Sequence, residues 1–257
     1  MQGEGLLAAL PIWGIFIVTL LLVVLSVEGG YRWADYRQKR SKQEVEAPIG
    51  AMVGATLGLL AFILGFTFSI AADTFHARKE AVVDEANAIR ATYLLAELIP
   101  DPHRTEVRKL LREYVEARLQ WGGEKKVAVG RSAGELQKQL WAHTVLVGAQ
   151  NPGGVDVFLE SVKKVLGLQV EREILRKQSR IPGPFWAVLY MITVLALAAM
   201  GYHGGVAGTT RSPVMMAVAV AFSIVIVMIA DVDRPGQGLI DVSQQAMIDL
   251  RNWMTEP

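Results

Sequence analysis

The side chains with the most suggestive chemistry recur at helical spacing between positions 62 and 87: Phe62, Phe66, Ser69, Asp73, His76, Glu80, Asp84 and Asn87. At 100° per residue they fall within about 80° of one another, on an edge that is apolar first and acidic afterwards. If several copies of such a helix ring an axis, Phe62 and Phe66 form a hydrophobic neck that gates by dewetting, with Ser69 below it. Asp73, His76, Glu80 and Asp84 then line an acidic vestibule, and rings of carboxylates concentrate cations. The competing reading is plainer: the phenylalanines contact lipid or core, and the acids are a solvated face.

Asp73 and His76 also have the i, i+3 geometry of a carboxylate–histidine metal pair, with Glu80 one turn on. A di-metal bundle needs matching groups on other helices. Glu97, Glu113, Glu116 and Glu160 exist without a second x-x-His partner, so no metal and no cofactor is expected. Asp231, Asp233 and Arg234 close the last apolar segment. They read as a helix-end charge network, anchored to Arg78 or Arg90 and joined by Glu85 and Asn87, in preference to an ion site. His203 is a candidate pH sensor or a capped imidazole at a helix end. The chain has no cysteine, nucleophile elbow or phosphate loop, and its apolar segments hold no ionisable group between their ends. Neither an enzyme nor a pump is expected.

One stretch must position the edge. Ile49 to Ile99 contains no proline and keeps helical apolar spacing after the composition turns charged at Asp73, so it reads as a single helix. Its length, roughly 75 Å at 1.5 Å per residue, is more than twice a bilayer core. A second face carries Gly50, Gly54, Gly58, Ala61, Gly65 and Ala72, small residues that let helices approach closely in lipid. A third, with Phe75, Val82, Ala86, Ile89 and Tyr93, needs partner helices in water.

The rest of the chain supplies them. With 52% hydrophobic and 20% charged residues over 257 positions, it reads as an all-α integral membrane protein with four transmembrane helices and a four-helix soluble domain between spans two and three. The net charge of +1 gives no sign of a nucleic-acid partner. Leu6 to Val27 is a first span, kept as a span because Glu4 and no basic residue precedes it. Spans one and two, about 6–27 and 49–72, make a region 1–72. The soluble domain occupies 73–183, with helices from His103 to Trp121, from a capping box at Ser132–Glu135 to about Ala149, and from Val155 to about Ser179. Its inward positions include Val107, Leu111, Tyr114, Leu140, Phe158, Val162 and Ile174. Spans three and four, about 184–203 and 213–231, follow, the third stopped by the glycines of Gly201–Gly205 and the fourth capped by Ser212 and Pro213. The tail, 232–257, has Met247, Leu250, Trp253 and Met254 on one face and suits the membrane interface.

The run GLLAFILGFTFSIAADTFHARKEAVVDEANAI (58–89), with PDPHR, LLREYVEARL, GYHGG and DVDRP further on, resembles the bacterial membrane protein family called bestrophin-like. The resemblance implies a multi-pass protein of the bacterial inner membrane, similar to bestrophins. Those are homo-oligomeric chloride channels whose second span carries hydrophobic neck residues four apart. Phe62, Phe66 and Ile70 stand at that spacing here. It also implies a cytosolic soluble domain, whereas five basic residues between positions 28 and 48 plus Arg211 lean toward the opposite orientation. Both orientations stay open. The expected function is passive ion conduction by a homo-oligomer, with lipids and inorganic ions as partners. The alternative is a membrane-anchored scaffold or sensor whose helical domain docks another protein.

Overall fold

The structure is a computed structural model describing residues 11–40, 46–120, 126–150, 155–177, 180–208, 213–234 and 238–256. Residues 6–10 of the first span, Lys42, the link at 122–125, the break at 151–154, Arg211 and the cap at Ser212 lie outside the described residues. So does the side chain of Ser132.

The described residues form eight α-helices: α1 (Ile12–Gln38), α2 (Glu46–Leu95), α3 (His103–Leu119), α4 (Lys126–Gln150), α5 (Asp156–Lys177), α6 (Gly183–Val206), α7 (Pro213–Asp233) and α8 (Gln245–Thr255). Four of them, α1, α2, α6 and α7, are long and apolar enough to cross a membrane. The protein is therefore a multi-pass membrane protein. It divides into a membrane unit (Met1–Thr74 with Arg180–Asp241) and a helical unit (Phe75–Ser179 with Val242–Pro257). α2 is unbroken through both, as the absence of proline after Pro48 in its first turn allows. It ends in a 3₁₀ turn at Ala96–Leu98, where Ile99 adopts extended backbone (φ −104°, ψ 148°) as the residue before Pro100 must.

In the membrane unit α1 packs along α6. Gly30, Gly201 and Gly205 make that contact possible: a Cβ on Gly30 would lie 1.9 Å from the Ala198 carbonyl oxygen, and one on Gly201 would lie 2.0 Å from that of Val27. Backbones this close are the geometry small residues permit in lipid. This corrects the reading of Gly201–Gly205 as a helix stop. α6 continues to Val206, whose carbonyl accepts a hydrogen bond from the Gln38 amide, and the chain turns at Gly208 with φ +62°. α1 likewise runs eleven residues past its expected end, carried by solvent-exposed i, i+4 pairs between Glu28 and Arg32 and between Asp35 and Lys39. Thr19 Oγ1 and Tyr190 Oη share a 2.8 Å hydrogen bond that joins α1 to α6 inside the apolar layer.

The helical unit buries one core formed by α2, α3, α4, α5 and α8, including Ile89, Leu111, Tyr114, Leu140, Phe158, Val162 and Met247. The expected inward positions of α3 and α4 are borne out. Ile174 is not: it is exposed, and Val165 fills the core from α5 instead. α4 begins at Lys126, so Ser132–Glu135 lies within the helix and does not open it.

The tail reading is also corrected. The apolar face of α8 is taken up by the helical core and is not offered to a membrane surface. Met247, Leu250 and Met254 are buried in the helical core. Trp253 meets Tyr93 edge-on with ring centroids 5.7 Å apart, and the Arg90 guanidinium stacks over Trp253 at 4.5 Å. The same amphipathic face that suits an interface suits a protein core, and the apolar seam of α2 was available to it.

Candidate functional site

The candidate edge is a face of α2 that packs against nothing else among the described residues. In the membrane unit Val53, Leu60, Leu64, Thr67 and Ala71 are buried, while Phe62 (72% exposed), Phe66 (61%), Ser69, Ile70 and Asp73 are exposed. In the helical unit Val82, Glu85, Ala86 and Ile89 are buried, and His76, Glu80, Asp84 and Asn87 are exposed. The helical period sets the centres of the buried and exposed groups about 180° apart. An edge diametrically opposite the packing face remains free for lipid, water or another copy of the chain.

The small-residue face behaves unevenly. Gly50 sits against His203, whose Nε2 lies 2.9 Å from where a Cβ would be. Gly54, Gly58 and Gly65 have nothing within 4 Å of that position. Among the described residues, then, these three glycines pack against nothing, and the close helix crossing expected there lies at α1 and α6.

The helix-end charges have structural work. Asp231 accepts hydrogen bonds from the backbone amides of Leu239 (to Oδ1) and Ile240 (to Oδ2), both 2.8 Å, and Asp233 Oδ1 accepts one from Ile181 at 2.9 Å. Gly238 is required by this loop, since a Cβ there would fall 1.9 Å from Asp231 Oδ1. Asp231 and Asp233 thereby tie the chain entering α6 and the loop leaving α7 to the end of that helix. In the helical unit Arg78 donates from Nε to the Leu175 carbonyl at 3.2 Å, and Arg90 covers Trp253. No group of three or more histidine, cysteine, aspartate or glutamate side chains among the described residues is placed to hold a metal ion.

Glu85 requires the largest correction. The sequence reading has it join the helix-end network, but it is fully buried at the centre of another. Tyr114 Oη donates to its Oε1 at 2.6 Å, Arg118 Nη2 donates to Oε2 at 3.1 Å, and Arg172 Nη1 also donates to Oε2. Gln137 reaches Tyr114 Oη, and Arg172 reaches the Gln244 side-chain oxygen. One carboxylate thus ties α2 to α3 and α5 directly, and to α4 and the start of α8 through its partners. The signal was present in the sequence: Tyr114 and Arg118 are i, i+4 on the apolar side of α3, as Glu85 is on that of α2.

Burial, and then the Glu85 charge, push the Tyr114 hydroxyl well above the ordinary tyrosine range. Burial draws Arg172 below the usual arginine range, against the pull of Glu85. For Tyr114 the sign is that of a group whose folded pKa exceeds its unfolded one. Its contribution is whole below the unfolded value of 10.0 and is lost as pH rises above it. The expected result is an unfolding constant for the helical unit that climbs by up to about tenfold per pH unit above roughly pH 10. Tyr114→Phe should lower stability at neutral pH and remove that alkaline slope, read by thermal unfolding across pH 8 to 12. Equal slopes in the two proteins would count against this account.

The Bestrophin-like domain matches residues 15–247, nearly the whole chain. The chain belongs to the Bestrophin-like family. A crystal structure of a bacterial bestrophin homologue from Klebsiella pneumoniae, a tryptophan-to-alanine variant, is similar with a TM-score of 0.62 at 13% identity, covering 98% of this chain and all of that one. A second crystal structure, of a membrane protein solved as a proline-to-alanine variant, gives 0.57 at 13% identity over 93% of this chain and 95% of that one. No curated protein matches the sequence. At such identity the structural likenesses establish the bestrophin-like fold, and the fold agrees with four spans and a second span that continues as a long helix.

Proposed function

We propose that this bestrophin-like chain is one subunit of a homo-oligomeric channel that conducts ions passively along α2. Family membership supports an ion channel in general terms. The observation that carries the specific reading is the exposed edge of α2, where Phe62 and Phe66 stand free in the membrane unit and the side chains that follow at the same angle are Ser69 and Asp73. In a ring of copies the phenylalanines close a dewetted neck, with Ile70 on its flank. Asp73, Glu80 and Asp84 then make the vestibule negative, so cations are the favoured ions. The glycine face at Gly54, Gly58 and Gly65 lies beside that edge and is open for a neighbouring subunit's helix.

The test is ion flux from liposomes containing the purified protein. Wild type should pass ions, and Phe66→Ala, which widens and wets the neck, should raise flux by about tenfold, equivalent to about 1.4 kcal/mol off a barrier. Asp84→Asn should reduce the preference for potassium over chloride. Absence of flux from wild type and from Phe66→Ala would overturn conduction and return the scaffold reading.

A further inference from the structure

His103 is the first residue of α3 and His143 lies in the second half of α4. Their Nδ1 atoms are 3.1 Å apart, and the rings meet edge to face with centroids 5.4 Å apart at 68°. Both are half-buried. A contact between two ring nitrogens holds a single proton: one Nδ1–H donates and the other Nδ1 must present a lone pair. The bond persists while both rings are neutral, and is strengthened when one of them is charged. A second charge removes the acceptor and sets two imidazolium ions against each other at the distance of a hydrogen bond.

We infer that His103 and His143 form an acid-sensitive latch between α3 and α4, closed until both imidazoles are charged and released when they are. The carboxylates on the surrounding elements have other partners or face solvent. Glu97 is held by Arg104 and Arg108, and Asp101 by Arg104 and Thr105. Glu106 lies 3.6 Å from Lys109 on α3, and Glu135 3.5 Å from Lys138 on α4. On α5, Glu160 pairs with Lys163 and Asp156 is exposed; on α8, Arg251 approaches Glu116 and Asp249 is exposed. The second charge is therefore poorly compensated. At the first residue of α3, His103 also sits at the positive end of a helix dipole, which opposes a cation there.

The sign follows from counting protons. In acid the unfolded chain charges both imidazoles, whereas the closed latch takes up one fewer. Stability is therefore lost as pH falls to where the unfolded chain takes up the second proton and the closed latch does not, by up to about tenfold in the unfolding constant per pH unit. The experiment is thermal unfolding of the full-length protein in detergent between pH 8 and pH 5, followed by the fluorescence of Trp141, two residues before His143 on α4, and its companion tryptophans. Wild type should lose midpoint temperature on acidification. His143→Phe keeps a ring but neither takes a proton nor accepts one, and should show an acid slope shallower by one proton. His76 and His203 are common to both proteins and cancel in the difference. A second measurement needs no variant: amides of 103–119 and 140–150, corrected for intrinsic exchange rate, should be less protected in wild type at pH 5.5 than at pH 7.5. Parallel acid slopes in the two proteins, or unchanged protection, would overturn the latch.

Discussion

Replacing Glu85 with alanine should destabilise the helical unit by about 3–5 kcal/mol, the range for removing one partner of a buried ion pair. The effect is large because the substitution strands everything aimed at the carboxylate. The Tyr114 hydroxyl and the guanidiniums of Arg118 and Arg172 converge on Glu85, which is fully buried; Arg118 itself is 5% exposed. Without the anion, the two guanidiniums are left as like charges close together in a site of low dielectric. At roughly 2–4 °C per kcal/mol for a domain of this size, the midpoint should drop by about 10 °C, measured by circular dichroism in detergent. Glu85→Gln should show how much of this is charge: it keeps the volume and one acceptor oxygen, yet turns an amide N–H₂ toward guanidinium donors. A triple change to Glu85→Leu, Arg118→Met and Arg172→Met should recover much of the loss, since apolar groups of similar volume commonly replace buried ion pairs at little net cost. A Glu85→Ala protein with the wild-type midpoint would show that the cluster contributes no net stability.

The prominence of Glu85 marks the boundary of what the sequence discloses. The long helix, the four spans and the inward faces of α3 and α4 follow from period and punctuation: apolar spacing, Pro48 in the first turn of α2 and Pro100 beyond its end, Pro102 before α3, Pro184 and Pro213 in the first turns of α6 and α7. The exposed edge at Phe62, Phe66 and Asp73 was legible for the same reason, because a helix's own angle separates that edge from its buried face. Pairings between distant elements were not legible. Glu85, Tyr114 and Arg118 stand on apolar helix faces, positions that call for polar partners without naming them, and only the fold reveals that they meet one another and Arg172. α8 was misread because its amphipathicity specifies an apolar surface without naming it, whether lipid, a partner or the seam beside Tyr93. The glycines were misassigned for a related cause. Four-residue spacing of small residues permits close packing and does not say which helix, if any, comes close.

That ambiguity yields the second large effect. Gly201→Ala should destabilise the membrane unit by about 3 kcal/mol, the upper part of the range for overpacking, because the added methyl meets backbone that cannot step aside. Its Cβ would lie 2.0 Å from the Val27 carbonyl oxygen and 2.8 Å from the carbonyl carbon. Relief requires α1 and α6 to separate by more than an ångström along a seam where Gly30 and Gly205 are also in close contact, and where Thr19 and Tyr190 hold a hydrogen bond. The opposite sign is expected at Gly54 and Gly58, where a methyl meets nothing within 4 Å. There alanine should stabilise an isolated subunit by about 0.5–1 kcal/mol through the lower backbone entropy of its unfolded chain. The pair of results also bears on assembly. If a neighbouring copy packs against the Gly54–Gly58 face, Gly54→Ala will shift the protein toward smaller species on size-exclusion chromatography in detergent while the unfolding midpoint of the dissociated subunit stays level or rises. Gly201→Ala acts within a single chain, so it should lower the midpoint of monomer and oligomer alike. Equal, small effects at both positions would contradict the close crossing of α1 and α6, and with it the assignment of Gly201–Gly205 as packing residues.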